Sequence, residues 1–489
     1  MRLSENFSLE EFTYSSTAEQ KGIANTIHDT DLVIPNAKAL CQKVLQKVRN
    51  QFGPIIISSG YSNAKLSLIL GRKSYSQHCF DPQTEILTAT GWKNIYTIDL
   101  KDKVYSYNMS SGKIEPDDIL ELIIKEYKGE MVLGKNHHID FCVTDKHRMV
   151  TAIPPKKGNP KWCIEEADKI YNKRRLFLTS ALNNNPKSSY DLRILKLCMA
   201  IICDGCLSLK KGTLSHSIGF TLSKKRKIDY IEKLLNELKI PYTKRYCLSR
   251  EKQGQFGVYA INLNQTESKR FINIIGTSKK IPSWFLQLSS EELQELVYTY
   301  SFFDGSKDKR SCNWNYFSMF SKDRDNIDML QAMCVLAGLR CTRTGPVERI
   351  TNFGPSKLYI LNVTPKTTSR LNEIGYSKEL YDGIVWCIRT NNTTLICRRN
   401  GKAFICGNCI GQAADIVSKN YRNYDIAVWI RDNLDFDQLI YEVRRRGLSK
   451  ELYDWVHVSY KKDGRNRREV LFSPPEKGYK TGLPEKSYV

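Results

Sequence analysis

Two short stretches far apart in this 489-residue chain read as halves of one motif. Residues 74–78 are Ser-Tyr-Ser-Gln-His, and residues 409–416 are Cys-Ile-Gly-Gln-Ala-Ala-Asp-Ile. Joined, they read S-Q-H-C-I-G-Q-A-A-D-I, and only a short loop and helix start then separate His78 from Asp415. The segment between them begins with Cys79 and ends with Asn408, which precedes Cys409. The fold must therefore reunite residues 1–78 with 409–489 and house the middle separately. The outer pieces together have a length ordinary for one domain. The whole chain is long enough for roughly three.

The outer pieces alternate helix and strand signals. Ser8-Leu9-Glu10-Glu11 has the spacing of a capping box. From Pro35 to Phe52, Leu40, Val44, Leu45 and Val48 recur at helical spacing. Residues 54–61, Pro-Ile-Ile-Ile-Ser-Ser-Gly-Tyr, read as a buried strand entering a turn. Ile410 to Leu434 reads as a helix and its exit. Residues 436–442 and 455–460 are strand-like.

These texts resemble phage-type zinc DD-peptidases of the D-alanyl-D-alanine carboxypeptidase kind. The matching stretches are "LSENFSLEEFTYSSTAEQKGIAN", "IIISSGYSNAKL", "SQH/CIGQAADI", "FDQLIYE" and "WVHVSY". The resemblance implies that His78, Asp415 and His457 bind zinc. Two imidazoles and one carboxylate suit Zn²⁺ and leave a position for water. It implies a base at Asp454, three residues before His457, with Glu442 the weaker candidate. Ser62 stands where the family usually has arginine. Peptidoglycan peptides are the implied substrates, and a cell-wall-binding domain without activity is the alternative.

The middle segment resembles an intein. Cys79-Phe-Asp-Pro-Gln-Thr-Glu opens like the first splicing block, and Thr144-Asp-Lys-His147 matches T-x-x-H. Val385-Trp-Cys387-Ile-Arg and Phe404-Ile-Cys-Gly-Asn408-Cys409 match the two closing blocks. The implied chemistry uses Cys79 as thioester-forming nucleophile, since sulfur both attacks and leaves well. Thr144 and His147 assist at that bond, Cys409 takes over the acyl group, and Asn408 cyclises to cut downstream. No cofactor is required. Gly407 stands where inteins usually carry histidine, and Cys387 where they usually carry aspartate. The Val-, Ile-, Thr- and Tyr-rich text with Gly/Asn turns fits an all-β splicing (Hint) domain.

Inside that segment lies a repeat. Residues 197–205 and 297–305 are each an apolar helical run ending in Asp-Gly, at Asp204 and Asp304, and each is followed by a Ser-Lys text and a helix. This resembles LAGLIDADG homing endonucleases. Two such helices packed together would bring both aspartates side by side to hold Mg²⁺, which takes carboxylates and phosphate oxygens. Lys279 and Lys280 match the block carrying a catalytic lysine in that family. Double-stranded DNA is the implied partner, and a net charge of +23 accords with a polyanion.

The expected architecture is thus multidomain. An α+β peptidase is split over 1–78 and 409–489. An all-β splicing domain is split over 79–184 and 371–408. An α+β LAGLIDADG endonuclease with two pseudo-repeats occupies 185–370. A decayed, non-splicing DNA-binding protein is the different-class alternative. The intein is expected to be monomeric. The 15 cysteines are irregularly spaced. Cys203/Cys206 and Cys406/Cys409 lack zinc-ribbon spacing. A Cys406–Cys409 disulfide would sequester the second nucleophile, although Cys406 also reads simply as a small strand residue. The N-terminus lacks a secretion-signal pattern, and no run of about 18 apolar residues occurs. The expectation is a cytoplasmic chain without membrane contact, whose spliced outer domain acts at the cell wall.

Overall fold

A computed structural model describes the chain except residues 23, 26–29, 62–77, 210–215, 248–257, 308–315, 352–353, 409–412, 446–450, 461–465, 467 and 476–479. Ser62 and Cys409, both singled out above, lie outside the described residues. The chain forms two compact units. One comprises Met1–Ser74, Leu120–Leu122 and Ile410–Val489; the other comprises Tyr75–Ile119 and Ile123–Cys409.

The first unit is a six-stranded sheet built from both ends of the chain. In spatial order its strands are Ile55–Ser59, Ala413–Ser418, Leu452–Ser459, Gln438–Arg445, Glu469–Ser473 and Lys480–Thr481. Ile55 pairs with Ser418 and Ile57 with Ile416, so strands from the two outer pieces are direct neighbours. One face is apolar, carrying Ile55, Ile57, Ala414, Ile416, Leu439, Tyr441, Val443, Val456 and Val458. Helices cover it because they present matching apolar stripes. Leu40, Val44, Leu45 and Val48 are fully buried on the run Thr30–Leu40, Cys41–Leu45 and Gln46–Phe52, whose middle segment is a π-helix. Ile426, Ala427 and Ile430 do the same on Asn423–Asn433. The Ser8/Glu11 capping box forms as its spacing predicts.

The helix expected from residue 410 is corrected. Ala413–Ser418 is a strand, and the helix begins only at Asn423. Ala-Ala-Asp-Ile favours a helix locally, but pairing on both sides decides the matter. Period-two alternation then buries Ala414 and Ile416 and turns Asp415 to the opposite face.

The second unit centres on a 14-stranded sheet. Its hairpin Thr394–Arg399/Lys402–Gly407 turns at Asn400 and Gly401, with φ of 48° and 75°. A two-residue Asn-Gly loop with both φ positive is the geometry that suits the twist of the strands. Arg175–Leu178 pairs antiparallel with Thr368–Leu371, so the chain leaves and re-enters this sheet at adjacent points around the repeat segment.

The repeat folds twice alike. Each copy runs helix, two strands, helix, two strands. The first uses Leu192–Asp204, Gly205–Leu209, His216–Leu222, Lys225–Glu237, Tyr242–Cys247 and Val258–Leu263. The second uses Ser290–Asp304, Gly305–Lys307, Phe317–Ser321, Arg324–Leu336, Arg340–Thr351 and Gly354–Thr364. Both sheets have the same strand order. Gly205 and Gly305 follow the aspartates because a Cβ at either would strike the backbone carbonyl four residues back, at Ile201 and Ser301.

The boundaries 184/185 and 370/371 fall within this unit. The second repeat's sheet continues into the Asn-Gly hairpin through Thr342 opposite Lys402. Arg398, fully buried, binds Glu85 at 2.7 Å, Asp328 at 2.7 Å and Gln331 at 3.0 Å, so one side chain ties the hairpin to the helix Arg324–Leu336. No helix among the described residues is long and apolar enough to cross a membrane.

Candidate functional sites

The junction site is organised by one turn. Asp140–Thr144 and Arg148–Ala152 are successive strands, and residues 144–148 connect them. The His147 amide donates to the Thr144 carbonyl at 2.9 Å, which closes the turn. On one side, the Cys79 amide donates to Thr144 Oγ1 at 3.1 Å, and the Thr144 amide donates to the Cys79 carbonyl at 3.0 Å. The nitrogen of the His78–Cys79 bond is therefore held by Thr144. On the other side, the Arg148 guanidinium donates to the Asn408 carbonyl at 2.7 Å. The carbonyl of the Asn408–Cys409 bond is therefore held by Arg148.

His147 lies between these contacts, fully buried, with its ring 4.5 Å from Phe80. Its two ring nitrogens are buried without a hydrogen-bond partner. Burial first, then the charges of His78 and Arg148, push its pKa well below the usual histidine value, so it is neutral near pH 7 and able to accept a proton. Cys79 and Asn408 are fully buried. Asn408 Nδ2 donates to Thr390 Oγ1 at 2.9 Å, which fixes the carboxamide. His78 Nδ1 bonds the Lys146 carbonyl at 2.6 Å. Buried Cys387 donates its thiol to the Ile388 carbonyl. Cys406 Sγ lies 3.6 Å from Cys397 Sγ, so its neighbour among the described thiols is Cys397.

Arg148 was not legible as a site residue, yet a signal existed. A Cβ on Gly407 would come within 2.8 Å of Arg148 Cβ. The missing side chain at 407 is the space Arg148 uses.

In the first unit, strand register gathers Asp415, His457 and Glu442 on the face opposite the helices. Asp415 is opposite His457, which is opposite Ile440, two residues before Glu442. His457 Nδ1 bonds Asp415 Oδ1 at 2.8 Å. Burial opposes protonation of His457, but the Asp415 hydrogen bond and the charges of Asp415 and Glu442 outweigh it and raise its pKa. Burial pushes Glu442 up to about 7, against the pull of His457 and Arg444, with Asp415 adding to the rise. Arg444 lies 3.0 Å from Glu442 Oε2.

Asp454 does not share that face. Three residues along a strand is an odd number, so Asp454 points to the helix side from His457. There Tyr441 donates to it at 2.6 Å and Asn423 at 2.7 Å. The spacing that suggested a base takes Asp454 away from His457, and Glu442 is the carboxyl on the histidine's side. His78, the third expected zinc ligand, belongs to the other unit. No group of three or more His, Cys, Asp or Glu side chains placed to hold a metal occurs among the described residues.

In the repeat, the helices Leu192–Asp204 and Ser290–Asp304 pack side by side and end together. Burial first, then the Asp204 charge, raises the pKa of Asp304. Of the expected lysines, Lys279 donates to the Cys203 carbonyl at 2.8 Å and so caps the first helix. Lys280 pairs with Asp325 on the surface. The lysine at the aspartates is Lys227, with Nζ 2.5 Å from Asp204 Oδ2 and 3.9 Å from Asp304 Oδ1. It sat unnoticed in the run Ser223-Lys-Lys-Arg-Lys227, which reads as a solvated basic face.

No protein-family profile matches the chain. Over 369 residues it is 24% identical to the ribonucleoside-diphosphate reductase subunit beta of Aquifex aeolicus, covering 68% of this chain and 50% of that one. Over 110 residues it is 26% identical to the ATP-dependent Clp protease proteolytic subunit of Chlamydomonas moewusii, covering 22% and 11%. The chain thus spans half or less of the length of these curated relatives. Among solved structures it is similar to I-DmoI in complex with its target DNA, at 13% identity and a TM-score of 0.26, covering 35% of this chain and 89% of that one. It is also similar to full-length DUF199/WhiA from Thermatoga maritima, at 13% identity and a TM-score of 0.25, covering 36% and 53%.

Proposed function

We propose that the chain is a self-splicing precursor in which the segment Cys79–Asn408 excises itself and joins residues 1–78 to 409–489. The observation that carries this reading is the turn 144–148. Through Thr144 it holds the nitrogen of one junction bond, and through Arg148 the carbonyl of the other. Cys79 Sγ attacks the His78 carbonyl, and the amide becomes a thioester. The released Cys79 nitrogen takes a proton within reach of Thr144 and neutral His147. Cys409 then attacks the thioester, freeing the Cys79 thiol and carrying the upstream segment. The Asn408 side-chain nitrogen attacks its own carbonyl, expelling the Cys409 amine and leaving a cyclic imide. Arg148 stabilises the oxyanion formed in that step, as a charged donor at a developing negative oxygen does. An S-to-N shift finally restores a peptide between His78 and Cys409.

The experiment is mass analysis of the freshly expressed chain and its variants. Unaltered protein should yield the excised segment and the ligated outer product. Cys79→Ala should stop upstream cleavage, and Asn408→Ala downstream cleavage. Ligated product from the Cys79→Ala chain would refute the assignment.

The outer product, on this reading, is a zinc peptidase acting on peptidoglycan peptides. Asp415 and His457 supply two ligands, and His78 becomes the third after joining. Bound zinc would polarise the substrate carbonyl and activate water. Glu442 is the residue able to take the proton, because it shares the face of His457 and titrates near 7.

The repeat pair is read as a double-stranded-DNA-binding module of the LAGLIDADG kind. Two packed helices ending in paired aspartates, each copy with its own four-stranded sheet, favour this over an ordinary core.

A further inference from the structure

Divalent-ion chemistry at the repeat requires that Asp204 and Asp304 both turn toward one cation. The residues present do not fit that requirement. Lys227 reaches both carboxylates, at 2.5 Å and 3.9 Å, and its side chain is only 9% exposed. Its ammonium already stands where a bridging cation would need to be.

The lysine is held from several sides. It lies in the first turn of Lys225–Glu237 and sits 5.4 Å over the Phe303 ring. The basic groups beside it are committed elsewhere. Arg226 donates to the Phe302 carbonyl at the end of the second helix, and Lys279 to the Cys203 carbonyl at the end of the first. Neither moves in to replace Lys227 without uncapping a helix.

The two repeats differ at this point alone among the buried polar positions of their second helices' first turns. Lys227, Ile228, Ile231, Leu234 and Leu235 are buried in the first copy; Asn326, Ile327, Leu330, Met333 and Cys334 are their counterparts in the second. Asn326 faces away from any such role, accepting from the Ile281 amide at 2.9 Å and donating to the Lys279 carbonyl at 2.9 Å. One ammonium therefore serves both carboxylates. A partly buried charge pair in contact is costly to break when one partner is left behind. A hydrated Mg²⁺ would have to displace the ammonium and be partly dehydrated in the process.

We propose that Lys227 is a built-in cation that replaces the divalent metal between Asp204 and Asp304, so that the repeat pair holds double-stranded DNA without cutting it. The proposal rests on the DNA-binding reading of this unit only for the word DNA. The replacement of metal by lysine is independent of it.

The test uses the full chain with Cys79→Ala and Asn408→Ala, which keeps it intact, and Mn²⁺ alone as probe. Free Mn²⁺ is followed by paramagnetic resonance during titration, without DNA. The chain should bind no Mn²⁺ in the range where Lys227→Gln and Lys227→Met chains bind one ion. Those variants should gain at least tenfold in affinity, and adding Asp304→Asn should remove the gain. Binding of one Mn²⁺ by the chain with Lys227 in place, abolished by Asp204→Asn, would overturn the proposal whether or not the lysine variants fold. Equal or weaker Mn²⁺ binding by folded Lys227→Gln would do the same. A separate titration with a duplex of the joined 1–78/409–489 coding sequence tests DNA binding. Its failure would remove the DNA reading and leave the metal result standing.

Discussion

Arg148 donates to the Asn408 carbonyl at 2.7 Å, and its Cβ lies in the space that a side chain on Gly407 would fill. The two positions are therefore alternatives. A group that polarises the downstream carbonyl comes either from residue 407 or from across the sheet, and here it comes from Arg148.

Arg148→Ala should slow downstream cleavage by about 100-fold, the usual effect of deleting one oxyanion donor. Thioester formation at Cys79 should continue at its normal rate. Hydroxylamine trapping of the thioester, with a time course of the released C-terminal piece, separates the two. Arg148→Lys should fall between, because one ammonium lacks the reach and fork of guanidinium. Equal slowing of both steps would mean that Arg148 serves the fold rather than the carbonyl.

Gly407→His should not accelerate downstream cleavage. The new Cβ would stand 2.8 Å from Arg148 Cβ, closer than real Cβ atoms approach a neighbour. Arg148 would have to move from the Asn408 carbonyl. A slower release of the C-terminal piece in a Cys79→Ala background is expected, and a faster one would contradict the alternative-donor relationship.

Arg398→Met should destabilise the second unit by about 3–5 kcal/mol, the cost of leaving buried carboxylates without their partner. Glu85 and Asp328 both lose a guanidinium contact at 2.7 Å. Urea unfolding of the trapped precursor measures it. Because Arg398 joins the Asn-Gly hairpin to the helix Arg324–Leu336, an internal deletion of 185–370 should suffer comparably unless Arg398 is replaced as well.

The first unit should lose stability as pH rises from about 4.5 to 7. Glu442 titrates near 7 in the fold against an ordinary 4.5, so the folded form binds the extra proton in that window. Protons held by the native state and not by the unfolded one make stability fall with rising pH. Full realisation of the shift would be at most about 3 kcal/mol. His457, raised by Asp415 and Glu442, adds a loss as pH passes its elevated value. Glu442→Gln should flatten the slope between pH 5 and 7 in denaturant titrations of the ligated product. An unchanged slope would place the titration elsewhere. The same variant should abolish peptide hydrolysis if Glu442 is the base.

What was readable in the sequence was whatever depends on short spacing. The Ser8/Glu11 cap, the helical stripe from Leu40 to Val48, the strand at 55–59 and the two helices ending in Asp204 and Asp304 all appear where local pattern put them. What was not readable depends on partners distant in sequence. Ala413–Ser418 becomes a strand because two other strands flank it. Asp454 is lost as a base because His457 lies on a strand, where three residues reverse the face. Arg148 depends on an absent side chain at Gly407, and Lys227 on the meeting of two helix ends. A basic run carries no mark of which lysine turns inward.

The pairing of Ile55–Ser59 with Ala413–Ser418 sets a clock on biosynthesis. The apolar strand Ile-Ile-Ile leaves the ribosome long before its partner exists. At ~5–20 residues per second, roughly 20–70 s pass before residue 413 is made. A hairpin closes in about 1–10 μs, so this strand must wait millions of times longer than its own pairing would take. The second unit is completed within that interval. The outer sheet is therefore the last part of the chain to fold although it contains the first residues synthesised. Its N-terminal piece must remain soluble throughout the wait, and that demand falls on the cell's chaperones rather than on any contact in the finished structure.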